Sequence, residues 1–322
     1  MWAKVTEDSG KQGRGRGRLV IVQTSRLCGN RTKSILGDHN GKILARCDQE
    51  SAHVNSSQTA QPAETQPTVA ANQSQSGATP APLAHQAIHD TVVRILEQQQ
   101  RGALLDVPAG EGALAGRLIA AGFEVQCCDL YPEIFCLAGV EIHRGDLNKE
   151  LPFADRSFDY ITCLEGLEHI ENPQQAIREF ARLLRPGGQL VVSVPNILNV
   201  EERLKLLLYG YTSHFKPITR EQVARLRAEY DNREEIAAHV NPIGYSELRY
   251  ILEKYGLQVA GVHRDKPKTN AWLYWPIVAL IKLIARLTPR QKRAERWTEE
   301  LASKEVLLGG NTLIVHAVLS EI

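Results

Sequence analysis

The sequence predicts an α/β protein built on a doubly wound, mostly parallel sheet of seven strands, with helices on both faces. Three observations predict it. Short apolar runs bounded by glycine and proline recur from residue 103 onward, and stretches of helical spacing lie between them. Strands alternating with helices imply parallel pairing through crossovers that cover both faces. An apolar fraction of 43% with 6% aromatics in 322 residues suits one substantial core.

The elements follow in order. Ala103-Leu104-Leu105-Asp106-Val107 is the first strand. A glycine-bearing turn leads from it into a helix that carries Leu114 and Leu118 and stops at Gly122. Glu124–Cys128 is the second strand and ends in Asp129, Val140–His143 is a short third, and Phe158–Cys163 is the fourth. Asn172-Pro173 opens the next helix as N-cap and first-turn proline. Ile177, Phe180, Ala181 and Leu184 form its apolar face, and Pro186-Gly187-Gly188 stops it. Gln189–Val194 is the fifth strand. A helix starts at Ser246 and ends at Gly256; Leu257–Val262 and Asn311–Leu319 are the sixth and seventh strands. The last two lack a crossover helix of the usual kind between them, so the seventh is expected to be antiparallel.

Charge divides the chain into three regions. Residues 1–50 hold ten Lys/Arg and five Asp/Glu, a basic arm without sustained periodicity. Its RGRGR run at 14–18 suits RNA or anionic lipid, although a solvated tail is the simpler reading. Residues 51–82 are almost entirely Ser, Thr, Gln, Asn, Ala and Pro, the composition of a disordered linker. Residues 83–322 form the folded domain and carry 28 basic against 31 acidic side chains. The whole chain is +1, which argues against a surface built throughout for nucleic acid. No apolar stretch reaches the roughly 18 residues of a membrane span. Six cysteines show no C-x-x-C spacing, and the adjoining Cys127 and Cys128 lie in an apolar run. A reduced, cytoplasmic protein is expected.

The first strand ends in Asp106-Val107-Pro108-Ala109-Gly110-Glu111-Gly112. Gly110 and Gly112 permit a tight turn and close approach of a ligand. Pro108 and Glu111 break the G-x-G-x-x-G pattern, and Glu111 would set a negative charge where a dinucleotide's phosphates sit. An acid at the strand end suits a ligand with a positively charged group instead. Asp129, 23 residues on, ends strand two, where a carboxylate can take both hydroxyls of a ribose. Gly145-Asp146-Leu147, Leu151-Pro152-Phe153, Ser157-Phe158-Asp159 and Leu164-Glu165-Gly166-Leu167-Glu168-His169 follow.

In this order and spacing the chain resembles the class I S-adenosylmethionine-dependent methyltransferases, over about residues 85–263 and again in the final strand. It is most similar to the branch that includes ubiquinone-biosynthesis O-methyltransferases and bacterial small-molecule and glycan-pathway enzymes. The resemblance implies the Rossmann-like methyltransferase fold with an antiparallel last strand and S-adenosyl-L-methionine as cofactor. It places Asp106, Gly110 and Gly112 at the methionine end, Asp129 on the ribose and Leu130 near the adenine. Asp146 would accept from the adenine amino group with Leu147 beside it, and Leu164 and Glu165 would face the sulfonium. Pro108 departs from the commoner glycine.

Methyl transfer from a sulfonium is a displacement, so a base is needed only where the acceptor must lose a proton. Glu165, His169 and His239 are the candidate catalytic residues, with Glu168 and His214 as further candidates. If 164–170 is helical, Glu165, Glu168 and His169 share a face. That cluster could take a divalent ion, with His239 as a further ligand, and it resembles the Glu-x-x-Glu-His pattern of small-RNA 2′-O-methyltransferases. The preferred reading has no metal and a small-molecule or lipid-linked acceptor, methylated on oxygen, with no nucleic-acid partner. The alternatives are a metal-assisted RNA 2′-O-methyltransferase using Glu165, Glu168 and His169, and an inactive binding module.

Two insertions are expected to determine the acceptor. Residues 197–243 should form a small helical cap. Residues 264–310 hold Trp272, Tyr274 and Trp275 before the run IVALIKLIARL. There Ile277, Leu280, Ile281, Ile284 and Leu287 are expected on one apolar face, with Lys282 and Arg286 on another. Residues 264–304 carry ten basic and four acidic side chains. Peripheral contact with a membrane through 271–296 is one reading, and packing on the core as part of the cap is the other.

Overall fold

The computed structural model describes residues 79–229 and 238–320. The basic arm and all but the last four residues of the expected linker lie outside the described residues. Within them the sheet has seven strands in the order β3-β2-β1-β4-β5-β7-β6. The strands are β1 (Ala103–Asp106), β2 (Glu124–Asp129), β3 (Ile142–Arg144), β4 (Phe158–Cys163), β5 (Leu184–Pro195), β6 (Leu257–Arg264) and β7 (Thr312–Leu319). β7 runs antiparallel to both β5 and β6, and every other pairing is parallel.

Successive strand residues face opposite layers. Leu105, Ile161, Val192 and Val315 pack with Ile177 and Phe180 of α3 (Pro173–Leu183) and Leu248 and Leu252 of α6 (Tyr245–Lys254). Leu104, Tyr160, Val191 and Ile314 pack on the other side, with α1 (Gln86–Glu97) and α2 (Ala113–Ala120). α1 is an element beyond those expected. Its apolar positions, Ile88, Val92, Ile95 and Leu96, have helical spacing and are buried, but a Ser/Gln-rich stretch precedes them.

Several boundaries differ from those expected. Leu184 caps α3 in extended conformation and begins β5, so the helix ends before Pro186-Gly187-Gly188 and those residues belong to the strand's start. β3 starts two residues later than expected and ends one later, with Cys127 pairing with Ile142. Residues 164–170 are not a helix. They hold a single 3₁₀ turn, Leu167–His169.

The first insertion contributes α4 (Val200–Tyr209) and α5 (Arg220–Glu229). The second contributes α7 (Trp275–Leu287) and three short helices, α8 (Arg290–Glu295), α9 (Thr298–Leu301) and α10 (Lys304–Leu307). Pro276 lies in the first turn of α7 and Pro289 follows its C-cap, as their chemistry requires. α4 and α7 meet in a satellite core of Val200, Val278, Ala285, Ala302 and Leu307. The expected apolar face of α7 divides: Ile277 and Ile281 pack inward, whereas Leu280, Ile284 and Leu287 are more than half exposed. No helix among the described residues is long and apolar enough to cross a membrane.

Candidate active site

The strand order reverses between β1 and β4, and ligands of doubly wound sheets bind at the carboxyl ends flanking such a reversal. Asp106 ends β1 there. Thr162 of β4 donates its hydroxyl to Asp106 Oδ1 at 2.7 Å, and Oδ2 is buried without a hydrogen-bond partner. Burial pushes its carboxyl up to about 7, with the charge of Asp129 acting in the same direction. The loop then turns through Gly110 at φ +54 and Gly112 at φ +93. A Cβ on Gly112 would lie 2.8 Å from atoms of Leu137 and Phe135, so the bend needs glycine both conformationally and for space.

Asp129 locks this loop to the end of β2. Its Oδ2 accepts from Gly110 N–H at 2.9 Å and its Oδ1 from Tyr131 N–H at 2.8 Å. Burial pushes it up to about 6. A carboxylate offers about four lone-pair sites, so two remain for a vicinal diol. The Glu111 carboxylate is engaged elsewhere. Its Oε2 accepts the N–H of Ala81, which brings the chain before α1 against the loop. Leu83 lies against Gly110 as well. Asp146 sits in a turn after β3, its Oδ1 accepting from the Asn148 N–H at 2.9 Å and its Oδ2 paired with Lys149 at 3.1 Å. Leu147 and Leu164 are buried, and the Leu130 carbonyl accepts from Arg144.

The segment after β4 separates residues that sequence spacing groups together. Glu165 adopts φ +49. Its N–H donates to Ser193 Oγ at 2.9 Å, and that hydroxyl donates back to Glu165 Oε1 at 2.8 Å. Sequence patterning does not find Ser193, because a serine within an apolar strand carries no functional mark. Burial raises the Glu165 carboxyl to about 7, and the charge of Asp265 adds to this.

Glu168 instead points into the core. It is 0% exposed, and neither carboxylate oxygen has a hydrogen-bond partner. Its carbonyl accepts from Val240 and Asn241, which pins the end of the first insertion. His169 Nδ1 lies 3.0 Å from the Ala238 carbonyl, and the His169 and His239 rings meet edge to face at 4.7 Å. His214 stacks on His239 at 5.9 Å. Burial lowers His239 to about 4, with His169 and His214 adding to the effect, so it is neutral near pH 7. One ligand atom each from Glu168, His169 and His239 lie within 4.8 Å of one another. These three residues could hold a metal ion, whereas Glu165 is engaged with Ser193.

A cleft of about 540 Å³ opens beside this cluster. Glu201, Glu202, Lys205 and His214 line it from the first insertion, and Lys268, Leu273 and Tyr274 from the second. Lys205 bridges Glu201 and Glu202 within α4, and Lys268 pairs with Glu201 at 2.6 Å, an ion pair that joins the two insertions.

The sequence pattern of the methyltransferase domain family matches residues 83–262. The chain belongs to this family. A ubiquinone biosynthesis O-methyltransferase of Xanthomonas euvesicatoria is 35% identical over 134 residues, 35% of this chain and 54% of that protein. A demethylmenaquinone methyltransferase of Bacillus pumilus is 26% identical over 195 residues, 56% of this chain and 80% of that protein. The chain thus spans about half the length of the first of these relatives. A SAM-dependent methyltransferase structure from Archaeoglobus fulgidus aligns with 71% of this chain and 94% of its own at 14% identity, with a TM-score of 0.43. The residues at these strand ends fit S-adenosylmethionine. The orphaned Asp106 oxygen suits the positively charged methionine end, and the spare lone pairs of Asp129 suit the ribose diol.

Proposed function

We propose that the protein transfers a methyl group from S-adenosylmethionine to an oxygen of a small-molecule or lipid-linked acceptor, of the quinone-precursor kind, at the cytoplasmic face of a membrane. The observation that carries this reading is the placement of the cleft. It opens beside the histidine cluster, between two insertions rich in exposed apolar side chains. Two relatives are named for ubiquinone biosynthesis and demethylmenaquinone methylation, which supports an acceptor of that class.

The bound cofactor supplies an electrophilic methyl group on a sulfonium. The chain's own residues bind, orient and accept a proton. Asp129 takes the ribose hydroxyls, Asp106 Oδ2 the charged end, Asp146 the adenine edge. Ser193 fixes one rotamer of Glu165, whose carboxyl near 7 suits a general base for an acceptor hydroxyl. His169 and His239 are the other candidates to take that proton. Holding the acceptor in line is worth several kcal/mol without any base.

The buried Glu168 beside two histidines favours a second reading, in which a divalent ion polarises the acceptor oxygen. The RNA form of that reading fits less well, since residues 83–322 are net acidic. Calorimetry with S-adenosylhomocysteine tests the cofactor site on which the proposal stands. Binding should be measurable, and Asp129→Ala should weaken it at least tenfold, about 1.4 kcal/mol. No binding at millimolar ligand, or unchanged affinity in the variant, would defeat it.

A further inference from the structure

We propose that the outward face of α7, with the turn before it and the C-terminal half of α4, docks on an anionic lipid bilayer and sets the rim of the acceptor cleft at its surface.

α7 has two apolar faces where a surface helix needs one. Val278 and Ala285 are buried, and Tyr274, Ile277 and Ile281 pack beside them. At about 100° per residue, the direction opposite that seam belongs to Leu280, Leu283, Ile284 and Leu287. These are 55%, 52%, 57% and 74% exposed. Water-facing positions of a packed helix are ordinarily polar, and four large aliphatic side chains there lack a covering neighbour among the described residues.

The charges say which partner fits. Lys282 and Arg286 fall on the flank of this outward face, four residues apart and both exposed, and Arg290, Lys292 and Arg296 follow in and just after α8. The insertion is strongly basic within an acidic domain. An aliphatic face flanked by cations matches the boundary between acyl chains and anionic headgroups. A protein interface would instead have its charge depleted near the apolar core. Trp272 and Trp275, 72% and 67% exposed at the start of the helix, are the residue type that settles at headgroup level. Thirteen residues give roughly 20 Å of helix, too short to span a core of roughly 30 Å and suited to lying flat.

α4 adds the second contact. Leu206, Leu207 and Leu208 are exposed at its C-terminal end, while Val200 at its start packs with Val278 of α7. Glu201 and Lys205 of α4 line the cleft together with Leu273 and Tyr274. The first projection therefore shares α4 with the lining of the cleft, and the second begins directly after the turn, Ala271–Tyr274, that lines its other side. The inference deepens the lipid-linked reading of the acceptor and rests on it for its purpose, but bilayer binding is read without methyl transfer.

The test is flotation of the full-length protein with vesicles of phosphatidylcholine alone and of phosphatidylcholine with phosphatidylglycerol, at low and high salt. Binding is expected on the anionic vesicles and should fall at least tenfold with Leu283→Asp plus Leu287→Asp. Lys282→Glu plus Arg286→Glu should remove the preference for anionic lipid. Affinity for S-adenosylhomocysteine should stay within twofold in both variants, which shows that they fold. Absence of binding to anionic vesicles overturns the proposal. So does wild-type binding in both variants, which would assign it to the basic arm at 1–50. Sedimentation showing a dimer that the leucine variants dissolve, without vesicle binding, also overturns it by assigning the face to a second copy.

Discussion

Asp106, proposed to meet the charged end of the cofactor, is held at a cost to the fold. Its Oδ2 is buried and unpartnered, and burial raises the carboxyl to about 7 from an ordinary 3.8. A raised folded pKa means that the group's contribution to stability is complete below the ordinary value and is lost as pH rises through about 7. Asp129 and Glu165 shift in the same direction. Against the opposing effect of the buried histidines His89 and His239, which are lowered to about 4, these acids contribute a downward slope to the melting temperature of the cofactor-free protein between pH 5 and pH 8. Asp106→Asn should flatten that slope in a thermal melt series and should also abolish cofactor binding. A slope unchanged in the variant would remove Asp106 as its source. Glu168 offers a sharper test of the metal-assisted reading. Zinc has the donor preferences of a Glu-His-His set. Titration of chelator-stripped protein should show one zinc per chain, and Glu168→Gln should weaken it by at least tenfold, the lower end of what a disturbed metal site loses. If wild type binds none, the carboxyl is a protonated core group.

At the scale of elements, local chemistry and packing divide the work. Asn172 caps α3 by accepting from Gln175 N–H at 3.2 Å, so Asn172→Ala should cost about 1 kcal/mol in denaturant unfolding. Phe180 on the same helix is fully buried, and Phe180→Ala should cost about 3–5 kcal/mol. The cap is legible in the sequence because an N-cap followed by proline is a local signal. The 3₁₀ turn after β4 is not. Glu165 at φ +49 and the pinning of the Glu168 carbonyl by residues 240 and 241 break a pattern that reads as helical by itself. The two faces of α7 are also hidden, since spacing marks an apolar stripe but not how much of it a neighbour covers.

Across the whole molecule, two insertions are added to a common sheet. The ion pair between Lys268 and Glu201 ties them together at the cleft. With the bilayer at its rim, turnover of a long-tailed, lipid-linked acceptor should rise in anionic vesicles and fall as salt screens the basic flank. A water-soluble analogue of the same headgroup should show neither effect. Equal responses from the two acceptors in a radiolabelled methyl-transfer assay would separate membrane contact from acceptor choice.

The sequence alone determined the alternation of strands and helices, the antiparallel last strand, and the placing of Asp106 and Asp129 at strand ends. These depend on periodicity and local turn chemistry, which a linear chain displays directly. Tertiary structure decided the rest. It joined Ser193 to Glu165, moved Glu168 into the core beside His239, brought Ala81 and Leu83 onto the glycine-bearing loop after β1, and left half of α7 uncovered. Each of these depends on contacts between residues tens of positions apart or on surface that no neighbour reaches, and neither property leaves a periodic trace in the chain.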